Sequence, residues 1–186
     1  MSFWVLVAVL GAAFLHALWN GLVRIGASRV QAMMVLSAVQ GLIGVGMALT
    51  HALPAPEVLP WLLASGLIHS AYKTFLTFAY EHGDLSRVYP LARGTAPLLV
   101  LVFGGTVLGE VLAPAEVAGI CLLGVGILML TRGVFTSGES RKLLPYAFGA
   151  ACATAGYSVV DGLGARVGGN AATFVAWMFV LDGIIF

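Results

Sequence analysis

The chain has 186 residues, 60% of them hydrophobic and only 9% charged, with a formal net charge of +1 and a mean hydropathy of +1.01. So few polar side chains cannot cover a water-soluble globule. No basic patch exists outside the short loops, so no nucleic-acid partner is expected. Cys121 and Cys152 lie inside apolar stretches at no disulfide or metal-site spacing, so buried free thiols are expected, with no metal and no cofactor.

Six apolar stretches follow one another: Phe3–Val23, Gln31–His51, Val58–Tyr80, Val88–Leu108, Leu112–Thr131 and Leu143–Leu163. A seventh, Ala171–Phe186, runs to the last residue. Crossing the hydrocarbon core takes roughly 20 apolar residues as a helix. These are spans 1 to 7 of an all-α polytopic membrane protein whose first partner is the lipid bilayer. Span 1 opens on Met-Ser-Phe-Trp, without the positive n-region of a cleavable signal peptide, and reads as a retained span.

The breaks between spans fall at backbone punctuation. His51-Ala-Leu-Pro-Ala-Pro-Glu57 ends span 2, because proline cannot continue a helix. Glu81-His-Gly-Asp84 separates spans 3 and 4, and Ala113-Pro114 opens span 5. Thr136 to Ser140, followed by Arg141 and Lys142, is the most polar connection. Such short loops make neighbouring spans antiparallel. Connections 1, 3 and 5 carry Arg24, Arg29, Arg87, Arg132, Arg141 and Lys142, while connections 2, 4 and 6 carry only Arg166. The positive-inside rule then puts the odd connections in the cytoplasm and the N-terminus outside. Close helix contacts are expected at Ser37, Gly41 and Gly44, at Gly105 and Gly109, and at Gly119, Gly124 and Gly126.

An ionisable side chain at membrane depth costs about 2.5–3.5 kcal/mol on insertion scales and usually faces a partner or a cavity. Span 1 offers His16, Trp19 and Asn20 on one face, with Arg24 a turn beyond. Span 3 offers Ser65, His69 and Lys73 at i, i+4 and i+8, with Tyr72 alongside. Span 4 offers Tyr89, Pro90, Arg93 and Pro97. From the apolar boundaries, Lys73 lies about 10 Å and Arg93 about 7 Å from the same membrane edge. Either could snorkel to the headgroups, and the two histidines could simply bond between helices. Spans 1 to 5 supply no buried carboxylate beside these cations. Span 6 carries Tyr157, Ser158 and Asp161, the last expected near water; span 7 carries Asp182. Pro90 and Pro97 should disturb the hydrogen-bond ladder of span 4.

Gly11-Ala-Ala-Phe-Leu-His-Ala-Leu-Trp-Asn20 in span 1 matches Gly149-Ala-Ala-Cys-Ala-Thr-Ala-Gly-Tyr-Ser158 in span 6. A unit of five spans would thus repeat, and an odd number of crossings inverts the second copy. His16-Ala-Leu-Trp-Asn20, the stretch from Gly83 through Tyr89-Pro90, Arg93 and Pro97 to Val100, and Gly109-Glu110 before a glycine-rich span resemble EamA-type members of the drug/metabolite transporter superfamily. That resemblance implies ten helices in two inverted five-helix repeats, with a central cavity formed mainly by helices 1, 3 and 4 of each. Residues 1–133 would be the first repeat, 134–142 a polar connector, and 143–186 the first one to two helices of the second. The chain is on that ground expected to be a fragment.

The resemblance implies a secondary transporter of a small metabolite, without enzymatic activity, in the bacterial cytoplasmic membrane. Its members are commonly drawn with cytoplasmic N-termini, opposite to the loop count, so both orientations stay open. The candidate substrate-binding residues are His16, Trp19, Asn20, His69, Tyr72, Lys73, Tyr89 and Arg93; their cations favour an anionic or zwitterionic substrate. Two rivals stand beside it. One is a non-transporting half-bundle acting as a homo- or hetero-oligomer or with a partner subunit. The other is an intramembrane serine hydrolase using Ser65 and His69, for which no oxyanion donor is visible.

Overall fold

The structure, a computed structural model, describes residues 3–25, 28–107, 113–136 and 140–186. The side chains of some helical residues among these, including His16, Trp19, Asn20 and Arg24, lie outside the described set, as do the surroundings of Gly105 and Gly109.

Among the described residues, seven α-helices occupy the seven apolar stretches: α1 (Phe3–Ile25), α2 (Arg29–Ala48), α3 (Leu59–His82), α4 (Leu85–Val107), α5 (Pro114–Thr136), α6 (Leu143–Val167) and α7 (Ala171–Ile185). Local chemistry sets their ends. Ser28 caps α2 by accepting from the Gln31 N–H, and Asn170 caps α7 by accepting from that of Thr173. Prolines open the short 3-10 turn Pro56–Val58 and the first turn of α3. Glu116 reaches back to the Ala113 N–H at 2.8 Å, tying down the start of α5. Gly169, at φ +66°, turns the chain from α6 into α7 in a conformation that favours glycine. α4 runs unbroken through Pro90 and Pro97. Proline has no N–H, so the Arg93 carbonyl receives no hydrogen bond from Pro97.

The surface and the interior have exchanged composition relative to a soluble protein. Large apolar side chains such as Phe14, Leu42, Leu122 and Leu128 are exposed, while Ser37, Ser65, Lys73, Thr77, Thr154 and Asp182 are buried. By length and hydropathy alone, α2 and α6 qualify as membrane crossings among the described residues. α3 and α4 are less apolar because their polar residues turn inward. Both cysteines are free, as expected, but exposed rather than buried. An apolar helix in a bilayer has a lipid face as well as a core face, and hydropathy does not tell them apart.

Packing follows the glycines. α6 lies antiparallel along α3: a Cβ on Gly149 would strike the Phe75 ring, one on Gly156 would touch Ile68, and one on Gly164 would meet Trp61 and Phe174. α6 also packs on α4, and α4 on α5. α7 lies antiparallel along α2 and also rests on α3, whereas α1 makes only slight contact with α2. The α2–α7 contact is nearly backbone on backbone: a Cβ on Gly44 would stand 2.6 Å from the Val180 nitrogen, and one on Gly183 2.6 Å from the Gly41 Cα. Gly41 and Gly44 thus mark a close contact as expected. Gly124 touches Leu98, but Gly119 and Gly126 face open space.

This crossing gives a test. Gly44→Ala should destabilise the protein by about 1–3 kcal/mol through forced separation of α2 and α7. Gly46→Ala, with nothing within 4 Å, should be neutral or slightly stabilising. Thermal melts in detergent compare the two, and equal melting temperatures would rule the close contact out.

Candidate functional site

α3 runs through the middle of the assembly, and its inward face carries Ser65, His69, Tyr72 and Lys73 at helical spacing. Because α6 and α7 pack against that face, Ser65, His69 and Lys73 each meet a polar partner from a distant part of the chain. Lys73 Nζ donates to Asp182 Oδ2 of α7 at 2.5 Å and to Ser37 Oγ of α2 at 2.6 Å. Lys73 is 4% exposed and Asp182 fully buried. A turn away, Ser65 Oγ donates to Asp161 Oδ1 of α6 at 2.5 Å, and His69 Nε2 lies 3.1 Å from Asp161 Oδ2. With the carboxylate as acceptor, that ring nitrogen carries the proton.

Arg93 of α4 donates from Nη1 to Tyr157 Oη of α6 at 2.6 Å, and its guanidinium stands 5.3 Å from the centroid of the Tyr72 ring. Tyr157 in turn stacks on His69, with ring centroids 4.0 Å apart, and meets Tyr72 edge-on at 5.7 Å. Two clusters therefore join into one polar layer near the midpoints of α3 and α6. A cavity of about 430 Å³ opens onto this layer, lined by His69, Tyr72, Lys73, Arg93 and Tyr157 together with apolar residues of α1, α2 and α7. The hydroxyl of Tyr72 and Oδ1 of Asp182 have no hydrogen-bond partner among the described residues.

Four candidates from the sequence, His69, Tyr72, Lys73 and Arg93, thus line one cavity. Tyr89 is half-buried and is not among its lining residues. The side chains of His16, Trp19 and Asn20 lie outside the described residues; Leu15 brings α1 to the cavity. Lys73 does not snorkel, and neither does Arg93. α3 continues to His82 and α4 begins at Leu85, which puts Lys73 about 14 Å and Arg93 about 12 Å from those helix ends. The carboxylates that meet Lys73 and His69 come from beyond the first five helices: α7 supplies Asp182 and α6 supplies Asp161. Asp161, expected near water, is only 24% exposed at its side chain.

Ser37, Tyr157, Asp161 and Asp182 are absent from the site read from sequence. Mid-span polarity flagged the last three, but only the packing of α6 and α7 on α3 joins them to it. The same geometry bears on hydrolysis. The Ser65 hydroxyl donates to Asp161 rather than to His69, so the serine–histidine hydrogen bond of a hydrolytic pair is missing among the described residues. No group of side chains there has the composition of a metal site either.

The family model of EamA-like transporters matches residues 2–132. No curated protein and no solved structure shows significant similarity to the chain.

The Lys73–Asp182 pair yields a stability prediction. Asp182→Asn leaves a lysine charge without its counter-ion and should cost about 3–5 kcal/mol. The double substitution Lys73→Met with Asp182→Asn removes both charges and should recover most of that loss. Equilibrium unfolding in mixed micelles measures both, and a double variant no more stable than the single one would contradict the pairing.

Proposed function

The chain belongs to the EamA-like transporter family, and on that premise we propose that it carries a small anionic or zwitterionic metabolite across the membrane by alternating access between inverted repeats. It is an integral membrane protein of the drug/metabolite transporter superfamily. In our reading residues 1–133 form the first five-helix repeat, 134–142 the connector and 143–186 the start of the second. The membrane is the cytoplasmic one, whose charge asymmetry the loops carry.

One observation carries the reading: the cavity of about 430 Å³ at the midpoint of α3, bounded by helices from both proposed repeats. That volume falls within the range of small-molecule sites. Transporters bind at the midplane where repeats meet; in this reading α3 and α4 belong to the first repeat and α6, which packs on both, to the second, and all three contribute to the cavity lining. Lys73 and Arg93 draw in the anionic group. Tyr72, with a free hydroxyl, supplies a donor, and His69 and Tyr157 form an aromatic wall. His16, Trp19 and Asn20 complete the cavity in this reading, and Tyr89 stands outside its lining. Asp161, held by Ser65 and His69, lies behind the wall and offers a counter-charge for the ammonium group of a zwitterion.

Uptake into proteoliposomes of radiolabelled lactate, succinate, L-glutamate and L-alanine tests the assignment. Lys73→Met and Arg93→Met should each lower uptake at least tenfold in protein that still elutes as a single folded species. Gly46→Ala should leave it unchanged. Undiminished uptake by Lys73→Met would remove that residue from the site.

A further inference from the structure

We propose that Asp182 is a proton-binding site coupled to the substrate: the substrate anion replaces Asp182 on Lys73, and Asp182 takes up a proton as it is released. The inference rests on the transport reading and adds to it the coupling ion, a proton that travels with the anion.

Lys73 belongs to both environments. Its ammonium is held by Asp182 and Ser37, and its side chain lines the cavity. Two of its three donors are used by those partners, leaving one for an arriving carboxylate or similar anion. The lysine also sits on a flexible four-carbon stem. Asp182 has no such freedom. Its neighbour Gly183 is pressed against Gly41 and the Ser37 carbonyl at the closest approach of α2 and α7. When the pair opens, the lysine is therefore the partner that moves.

Among the described residues nothing else is placed to compensate Asp182. α7 carries no other titratable side chain, and α2 brings Ser37, its single charged residue Arg29 lying two turns away at the helix start. From α3, His69 is engaged with Asp161, and Tyr72 is a neutral phenol. From α6, Asp161 is held by Ser65 and His69, and Tyr157 accepts from Arg93 of α4. Lys73 is the one cation bonded to Asp182 among the described residues, and Oδ1 already lacks a partner. A fully buried carboxylate without a counter-ion is neutralised by binding a proton. The balance closes: a monoanion enters, one O–H bond forms on Asp182 with a proton from the aqueous phase, and the net charge of the buried site is unchanged. Each monoanion thus carries one proton, and that cycle is electroneutral.

The test uses purified full-length protein in nanodiscs with lactate, succinate and L-glutamate as probes. Wild type should take up a proton from weakly buffered solution as a probe binds, and its affinity should weaken by up to about tenfold per pH unit as pH rises. Binding of the probe should also raise a protonated-carboxyl infrared band in wild type that is missing in Asp182→Asn, which assigns the proton to Asp182 rather than to Lys73. A probe bound by wild type without proton uptake overturns the exchange and leaves the transport reading standing. If no probe binds either protein, the anion reading falls and takes the exchange with it. Infrared spectra give an arm without substrate. Lys73→Met should show a protonated-carboxyl band at pH 7 that is lost when Asp182→Asn is added. Absence of that band in Lys73→Met would mean Asp182 keeps its charge alone, which overturns the proposal.

Discussion

A charge placed at the middle of a membrane must be satisfied from within the protein, and Lys73 is where that constraint acts most strongly. Its ammonium is bonded to the carboxylate of Asp182 and the hydroxyl of Ser37, which joins α3 to α7 and α2 at one point. The backbone contact of Gly41 and Gly44 with α7 brings those groups within reach. A bulkier side chain at either glycine would move α7 and separate Asp182 from Lys73. The small residues of α2 and the ion pair of α3 are thus two halves of one device. Buried pairs of this kind contribute little net stability, because desolvation offsets most of the Coulomb attraction. What they add is specificity of arrangement, and in this chain they also leave a cation at the edge of a cavity.

The second cluster obeys the same rule with different chemistry. Asp161 satisfies Ser65 and His69 at once, and Tyr157 satisfies Arg93 while stacking on the imidazole. Every charged group in the layer has a partner on another helix. α6 contributes to this cluster, and α7 to the other. Both clusters close against the same face of α3, which makes that helix the common wall of the site.

Much of this was legible in the sequence. The seven helices follow from apolar length together with prolines at 54, 56, 60 and 114 and Gly83. The inward face of α3 follows from the i, i+4, i+8 spacing of Ser65, His69 and Lys73. What local pattern could not supply was pairing over a distance of 109 residues, as between Lys73 and Asp182. That pairing depends on which helix packs against which, and hydropathy is blind to it. The depths of Lys73 and Arg93 were underestimated because α3 and α4 extend past the apolar stretches into Glu81-His82 and Leu85-Ser86-Arg87. The cysteines were misplaced for a related reason: inside a bilayer, an apolar position can face lipid or protein with equal ease. The match between Gly11–Asn20 and Gly149–Ser158 was the one sequence signal that pointed from the first half of the chain toward α6.

The central claim is that the layer of polar side chains bounds an aqueous substrate cavity and is more than a structural cross-brace. Gln40 lines that cavity without belonging to either hydrogen-bonded cluster, while Leu122 faces outward. The most direct measurement is the reaction of Gln40→Cys and Leu122→Cys, each with Cys121 and Cys152 replaced by alanine, with a charged, membrane-impermeant thiol reagent in sealed vesicles. A water-filled cavity predicts rapid modification of Gln40→Cys and none of Leu122→Cys. If Gln40→Cys is as inert as Leu122→Cys from both sides of the membrane, the cavity is closed to water and the polar layer serves the fold alone.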